Sequence, residues 1–87
     1  MKKEYIIAFS SFYKAAYAQD MLEEGGINST LKKLPTELVR SCSTGLYLRT
    51  DSIDDVQSVF ERKQIIPRGI YEIRRQGKAN KSFLKVK

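Results

Sequence analysis

The sequence has no histidine, a single cysteine and two prolines, and its last acidic residue is Glu72. Without histidine, neither a His-based acid/base mechanism nor a zinc site within one chain is expected. One cysteine cannot close an internal disulfide, so the chain is no disulfide scaffold, and a reducing compartment fits it best. No apolar run approaches the ~20 residues that a membrane-spanning helix needs. The first apolar stretch, Tyr5 to Phe9, is too short for the core of a signal peptide. A soluble, cytoplasmic protein without a membrane partner is expected. Asp51, Asp54 and Asp55 are close in sequence, but they read as a helix start, where negative charge is favourable. An enzyme with a conventional acid/base site is therefore not expected.

What is present is enough for one small domain. A chain of 87 residues buries a limited core, so function belongs on a surface cleft, a loop or an interface. An apolar content of 41% and an aromatic content of 10% argue against wholesale disorder. The charge is uneven. Residues 1 to 72 hold ten Lys/Arg and ten Asp/Glu, so the net charge of +6 belongs to Arg74, Arg75, Lys78, Lys81, Lys85 and Lys87. The chain divides into a single domain, residues 1–74, neutral as far as residue 72, and a basic C-terminal tail, residues 75–87.

Glu4 to Phe9 is a nearly continuous apolar run with β-formers and reads as a strand buried on both faces. Ser10-Ser11 is a helix N-cap signal. Ala15, Ala18 and Leu22 then share one helical face, and Gly25-Gly26 ends that helix. Ile27 to Leu34 is a lysine-bearing strand suited to a sheet edge, and Pro35 marks a break. Leu46 to Arg49 alternates as a half-buried strand does. Ser52-Ile53-Asp54-Asp55 resembles a capping box with Asp in its final place. Ile53, Val56 and Phe60 line one side of the helix that follows. Pro67 precedes a last strand, Gly69 to Ile73. The order strand, helix, strand, strand, helix, strand is that of an α+β, ferredoxin-like split βαβ fold (βαββαβ). Four antiparallel strands in the order 4-1-3-2 would carry both helices on one face.

That topology brings three junctions to one end of the sheet: Ser10-Ser11, the loop around Cys42, and Pro67-Arg68. Cys42 lies in a polar run, Arg40-Ser41-Cys42-Ser43-Thr44-Gly45, whereas a packing cysteine normally sits in an apolar one. Beside the first helix's N-terminus, unpaired N–H groups and the helix dipole favour an anion. Arg40 adds positive charge, and such a setting lowers a thiol's pKa. Ser10, Ser11, Ser41, Ser43 and Gly45 complete the surroundings. Two readings of Cys42 stay open: a small residue filling space under a loop, and a reactive thiol. Ser43-Thr44-Gly45 reads as a turn, with a short anion-binding nest as the alternative.

Arg74, Arg75, Lys78, Lys81, Lys85 and Lys87 are candidate contacts to nucleic acid or an acidic partner. The tail has one aromatic, Phe83, and lacks the interleaved aromatics of a stacking surface. It reads as a solvated segment dispensable for the fold. The sheet face away from the helices would carry Tyr47 and Tyr71, although no strand matches the aromatic-and-basic signature of an RNA-recognition fold. The same face could instead pair with a second subunit, as small antiparallel sheets often do.

Tyr5-Ile6-Ile7-Ala8-Phe9 with Ser11 and Ala15, then Gly25-Gly26-Ile27, Ser41-Cys42, Leu46-Tyr47-Leu48-Arg49 and Gly69-Ile70-Tyr71-Glu72-Ile73 form a recognisable series. Over about residues 4 to 73 the chain resembles the small bacterial family of selenium/sulfur carrier-like proteins, a domain of unknown function. In that family the loop cysteine is followed directly by glycine; here Ser43 and Thr44 come before Gly45. The resemblance implies a cytoplasmic domain whose Cys42 holds sulfur or selenium as a persulfide-type adduct. Ser41 and Ser43 would supply hydrogen bonds and Arg40 the charge. Donor and acceptor enzymes of sulfur or selenium metabolism would be the partners, with no small-molecule cofactor. The alternatives are a non-catalytic interaction module, dimeric through its sheet, and nucleic-acid binding by the tail.

Overall fold

A computed structural model describes residues 2–34, 44–76 and 80–86. The elements run β1 (Lys3–Ala8), α1 (Phe12–Glu24), β2 (Thr30–Lys33), β3 (Thr44–Thr50), α2 (Ile53–Arg62), β4 (Gly69–Gln76) and β5 (Asn80–Lys85). The five strands form one sheet in the order β2-β3-β1-β4-β5, and each neighbouring pair is antiparallel.

β1 occupies the centre because its run is apolar at successive positions rather than at alternate ones. Tyr5, Ile7 and Phe9 face the helices and are buried with Leu46, Leu48 and Ile70. α1 docks there through Ala15, Ala18 and Leu22, and α2 through Val56, Val59 and Phe60. The two alanines let α1 lie close to the sheet, and Phe9 meets Phe60 edge-on at 6.1 Å, a favoured ring geometry. On the opposite face Ile6 and Ala8 are also buried, with Leu34 and the partly buried Tyr71, Ile73 and Phe83.

Both helices end in the same way. After α1, Gly26 adopts φ 81°; its N–H reaches the Glu23 carbonyl, and the Ile27 N–H reaches that of Leu22. After α2, Gln64 adopts φ 57°, and the N–H groups of Gln64 and Ile65 reach the carbonyls of Glu61 and Phe60. Each is a Schellman-type stop, with Ile27 or Ile65 returning to the core as the hydrophobic residue beyond the turn. Glycine serves the first left-handed position. A glutamine occupies the second, where a Cβ is unfavourable.

Four features differ from the sequence reading. The sheet has five strands, not the four expected of a ferredoxin-like layout, with β5 added beside β4. The added strand comes from residues read as a solvated tail. β5 hides in the sequence because Phe83 is its one inward-packing aromatic, and its lysines suit an edge. Thr44 and Gly45 belong to β3 rather than to a turn, because both pair in register with β2. β2 is shorter than read, Thr30–Lys33. Finally, Ser52 is the α2 N-cap residue, but its side chain makes no capping hydrogen bond. Thr50 Oγ1 instead accepts from the Ser52 N–H at 3.1 Å, so the local chain is held from the strand side.

Gln64→Gly is expected to stabilise the protein by about 1 kcal/mol, by removing a Cβ from a left-handed position. Urea unfolding would show it as a higher midpoint at unchanged slope. Phe83→Ala is expected to cost about 1–2 kcal/mol, less than a fully buried ring because Phe83 is partly covered. Leu84→Ala, at a position 47% exposed, should stay within about 0.5 kcal/mol.

Candidate functional site

One end of the sheet brings together the end of β1, the start of β3 and the start of β4. The Phe9 N–H donates to the Thr44 carbonyl at 3.3 Å, and the Arg68 N–H donates to the Ala8 carbonyl at 2.7 Å. The start of β3, the start of β4 and the end of β1 are thereby tied together, immediately before α1. Ser11 caps α1, its Oγ accepting from the Lys14 N–H at 3.2 Å. The first turn of α1 carries no acidic residue, so nothing there offsets the positive end of the helix dipole. Ser10 is exposed and Ser11 half-buried. Arg40, Ser41, Cys42 and Ser43 lie outside the described residues. Their segment joins Leu34 to Thr44, and both ends belong to this part of the fold.

Gly45 has a packing role. The Leu34 side chain lies where a Cβ would project, and the Ile7 carbonyl oxygen is 2.9 Å from that position. A bare backbone here lets Leu34 seat against the sheet, and Leu34 is the last described residue before the Cys42 segment. Leu34 is 4% exposed.

Around this end the sequence reading missed a group of exposed apolar side chains. Phe12 and Tyr13 pack edge-on at 6.1 Å, and Tyr13 and Ile66 are 84% and 87% exposed. Ile66 stands between two shallow hollows. One, of about 210 Å³, is floored by Phe60 and Ile70. The other, of about 250 Å³, is bounded by Phe9 and Tyr17. The available signal was the excess of large apolar residues on α1, at positions 12, 13 and 17, off the face that Ala15, Ala18 and Leu22 define.

A second concentration of polar and charged side chains lies on the helix-free face of the sheet. Strand alternation puts Glu4, Tyr47 and Arg75 there. Arg75 grips Glu4 with two charge-assisted bonds, Nε to Oε2 at 2.8 Å and a terminal nitrogen to Oε1 at 3.0 Å. The Tyr47 hydroxyl donates to the same carboxylate. Arg75 first, and Tyr47 second, hold the Glu4 carboxyl down at about 2. The same contact with Glu4 pushes the Tyr47 hydroxyl up. On the other side of the sheet, Arg74 Nε meets Glu72 at 2.7 Å and Lys3 lies 3.7 Å from it. Arg74 and Arg75, read as part of a cationic tail, are thus each engaged by a carboxylate. Lys81 lies in β5, paired in register with Arg75, and Lys85 is exposed at the strand's end. Lys78 and Lys87 lie outside the described residues.

A family model described as "Putative Se/S carrier protein-like" matches residues 4–72. The chain belongs to this family. The resemblance read from the sequence over about residues 4 to 73 is borne out, and the matched region includes the chain's only cysteine. β5 lies beyond it. No curated protein and no solved structure matches the chain. Among the described residues of this carrier-family chain, no helix is long and apolar enough to cross a membrane.

The Glu4 contacts predict an acid-dependent term in stability. The carboxyl lies at about 2 in the folded chain against an ordinary 4.5. Its contribution is therefore complete above 4.5 and is lost as the pH falls toward 2. Glu4→Gln should cost about 1 kcal/mol at neutral pH, since Arg75 is largely exposed and solvent screens the pair. The difference between wild type and Glu4→Gln should shrink toward zero at the acid end, as followed by urea unfolding at a series of pH values.

Proposed function

We propose that the protein is a sulfur or selenium carrier, with Cys42 holding the atom as a persulfide-type adduct between a donor enzyme and an acceptor enzyme. The observation that carries this reading is the family match across residues 4–72 in a chain with one cysteine. Any thiol chemistry of this chain belongs to Cys42. The protein would have no turnover of its own, in keeping with a sequence that offers no histidine and no clustered carboxylates for acid/base work.

The chemistry is a pair of exchange reactions. The Cys42 thiolate attacks the outer sulfur of a donor persulfide. A new S–S bond forms at Cys42, the donor's S–S bond breaks, and the donor leaves as a thiolate. An acceptor thiolate then attacks the outer sulfur of the Cys42 adduct, and Cys42 leaves as the thiolate. No external oxidant or reductant is required, because one sulfur atom moves with its oxidation level unchanged. Selenium follows the same course with selenium as the outer atom.

The thiolate is the nucleophile, so the surroundings must favour it. Two features support that. Thr44, two residues from Cys42 in sequence, is bonded to Phe9 just before the α1 cap. The first turn of α1 carries no acidic residue. Arg40 would add a charge, Ser41 and Ser43 hydrogen bonds, and Ser10 and Ser11 the polar rim. The exposed Phe12, Tyr13 and Ile66 would give donor and acceptor proteins an apolar foothold beside the thiol.

The test is intact mass after incubation with a small-molecule persulfide, with selenide plus a disulfide run in parallel. One added sulfur or selenium atom is expected on the native protein, removable by dithiothreitol and absent in Cys42→Ala. Iodoacetamide should alkylate native Cys42 faster at neutral pH than a free cysteine peptide, and Arg40→Ala should slow it several-fold. A native protein that neither takes up an adduct nor alkylates would leave Cys42 as a packing residue and the chain as an interaction module.

A further inference from the structure

Beyond the thiol and independently of it, the helix-free sheet face has a composition that the carrier reading does not use. In register across the sheet run Thr30, Tyr47, Ile6, Tyr71 and Lys85. The next row holds Arg49, Glu4, Ile73 and Phe83. The aromatics therefore stand on one surface although they come from three strands, and Phe83 arrives only because β5 joins the sheet. Tyr47 and Tyr71 flank Ile6, two strand spacings apart, or about 10 Å. Between Tyr47, Ile73 and Phe83 lies a hollow of about 220 Å³, room for one planar base rather than a whole cofactor.

The net charge among the described residues of this face is positive. Lys32, Arg49 and Lys85 are exposed, and Glu4, the one acid among the described residues of this face, is already held by Arg75 and Tyr47. The Lys32 ammonium lies over the Tyr47 ring, 4.5 Å from its centroid. That contact occupies one face of the ring, and at an exposed site it is worth only about 0.5–1 kcal/mol, so a stacking base can displace the ammonium and leave it to meet a phosphate.

We propose that this face binds single-stranded nucleic acid, with bases stacked on Tyr47 and Tyr71 and phosphates held by Lys32, Arg49 and Lys85. Aromatic faces interleaved with cations on an open sheet suit unpaired bases joined by a phosphate chain. A second copy of the chain fits less well, because face-to-face pairing would bring the cations of both copies together. A duplex hides its base faces within the stack, so the aromatic rings would add nothing to its binding.

The experiment is fluorescence anisotropy of a labelled ten-nucleotide oligouridine with the full-length protein over a salt series. The same strand in a duplex and inorganic polyphosphate serve as comparisons. Binding of the single strand at least tenfold tighter than the duplex is expected. Tyr47→Ala should weaken it about fivefold or more, consistent with the cost of losing one base–aromatic stack, and Tyr47→Phe should restore it. Lys85→Ala should lower the salt slope by about 0.7. Tyr71 lies over Gly69 and its removal can disturb the sheet. Arg49→Glu, at an exposed position, is the second variant and should weaken binding at least tenfold. Absence of single-strand binding at low salt overturns the proposal. So does equal affinity for strand, duplex and polyphosphate with Tyr47→Ala unchanged, which would be plain attraction of a cationic protein for polyanions.

Discussion

The structure depends on the burial of β1 on both of its faces. Tyr5, Ile7 and Phe9 meet the helices, while Ile6 and Ala8 meet Leu34 and the side chains around it. A strand apolar at successive positions must be covered on both sides, and a chain of this size has two helices to cover one side. The second side is closed by groups reaching across from β4, β5 and the end of β2. This is why Gly45 carries no side chain, why Leu34 is buried at the end of an edge strand, and why a polar C-terminal segment is drawn into the sheet.

That arrangement separates two surfaces with different chemistry. At the end where β1 finishes, backbone hydrogen bonds tie Phe9 to Thr44 and Ala8 to Arg68. Thr44, on one side of the Cys42 segment, is therefore anchored in β3 beside a helix start, and Leu34, on the other, is buried, with large apolar side chains exposed nearby. On the helix-free face, aromatics and cations spread over several strands, and the one carboxylate described there is paired with Arg75 and hydrogen-bonded by Tyr47. A protein that hands an atom between enzymes needs a reactive group at a fixed place and a surface by which to be held. On the carrier reading proposed above, the first surface is the one that adjoins the Cys42 segment, and it lies within the matched family region; the second lies partly beyond it, since β5 follows residue 72.

The elements that were legible were those whose signal is local. The double-faced burial of Tyr5 to Phe9, the Ala15, Ala18 and Leu22 stripe, the Gly25-Gly26 stop and the break at Pro67 each rest on residue type and spacing within one element. The antiparallel order of the first four strands follows from connection rules applied to those elements. The family was legible for the same reason, since its signals are the element boundaries together with Cys42. What escaped depends on partners distant in sequence. Ser52 looks like a capping residue, yet Thr50 takes the local hydrogen bond. Thr44 and Gly45 look like a turn until β2 pairs with them.

The sequence by itself determined the apolar runs, the helix stops, the single thiol and the excess of cations after Glu72. Those are set by composition and by periodicities of a few residues. The tertiary structure alone decided that β5 exists, that the exposed Arg74 and Arg75 pair with Glu72 and Glu4, and that Tyr47, Tyr71 and Phe83 share a surface. Each of those outcomes requires strands far apart in the chain to lie side by side. An edge strand with one packing aromatic carries too little local preference to reveal itself, and becomes a strand only when β4 offers it a free row of hydrogen-bonding groups.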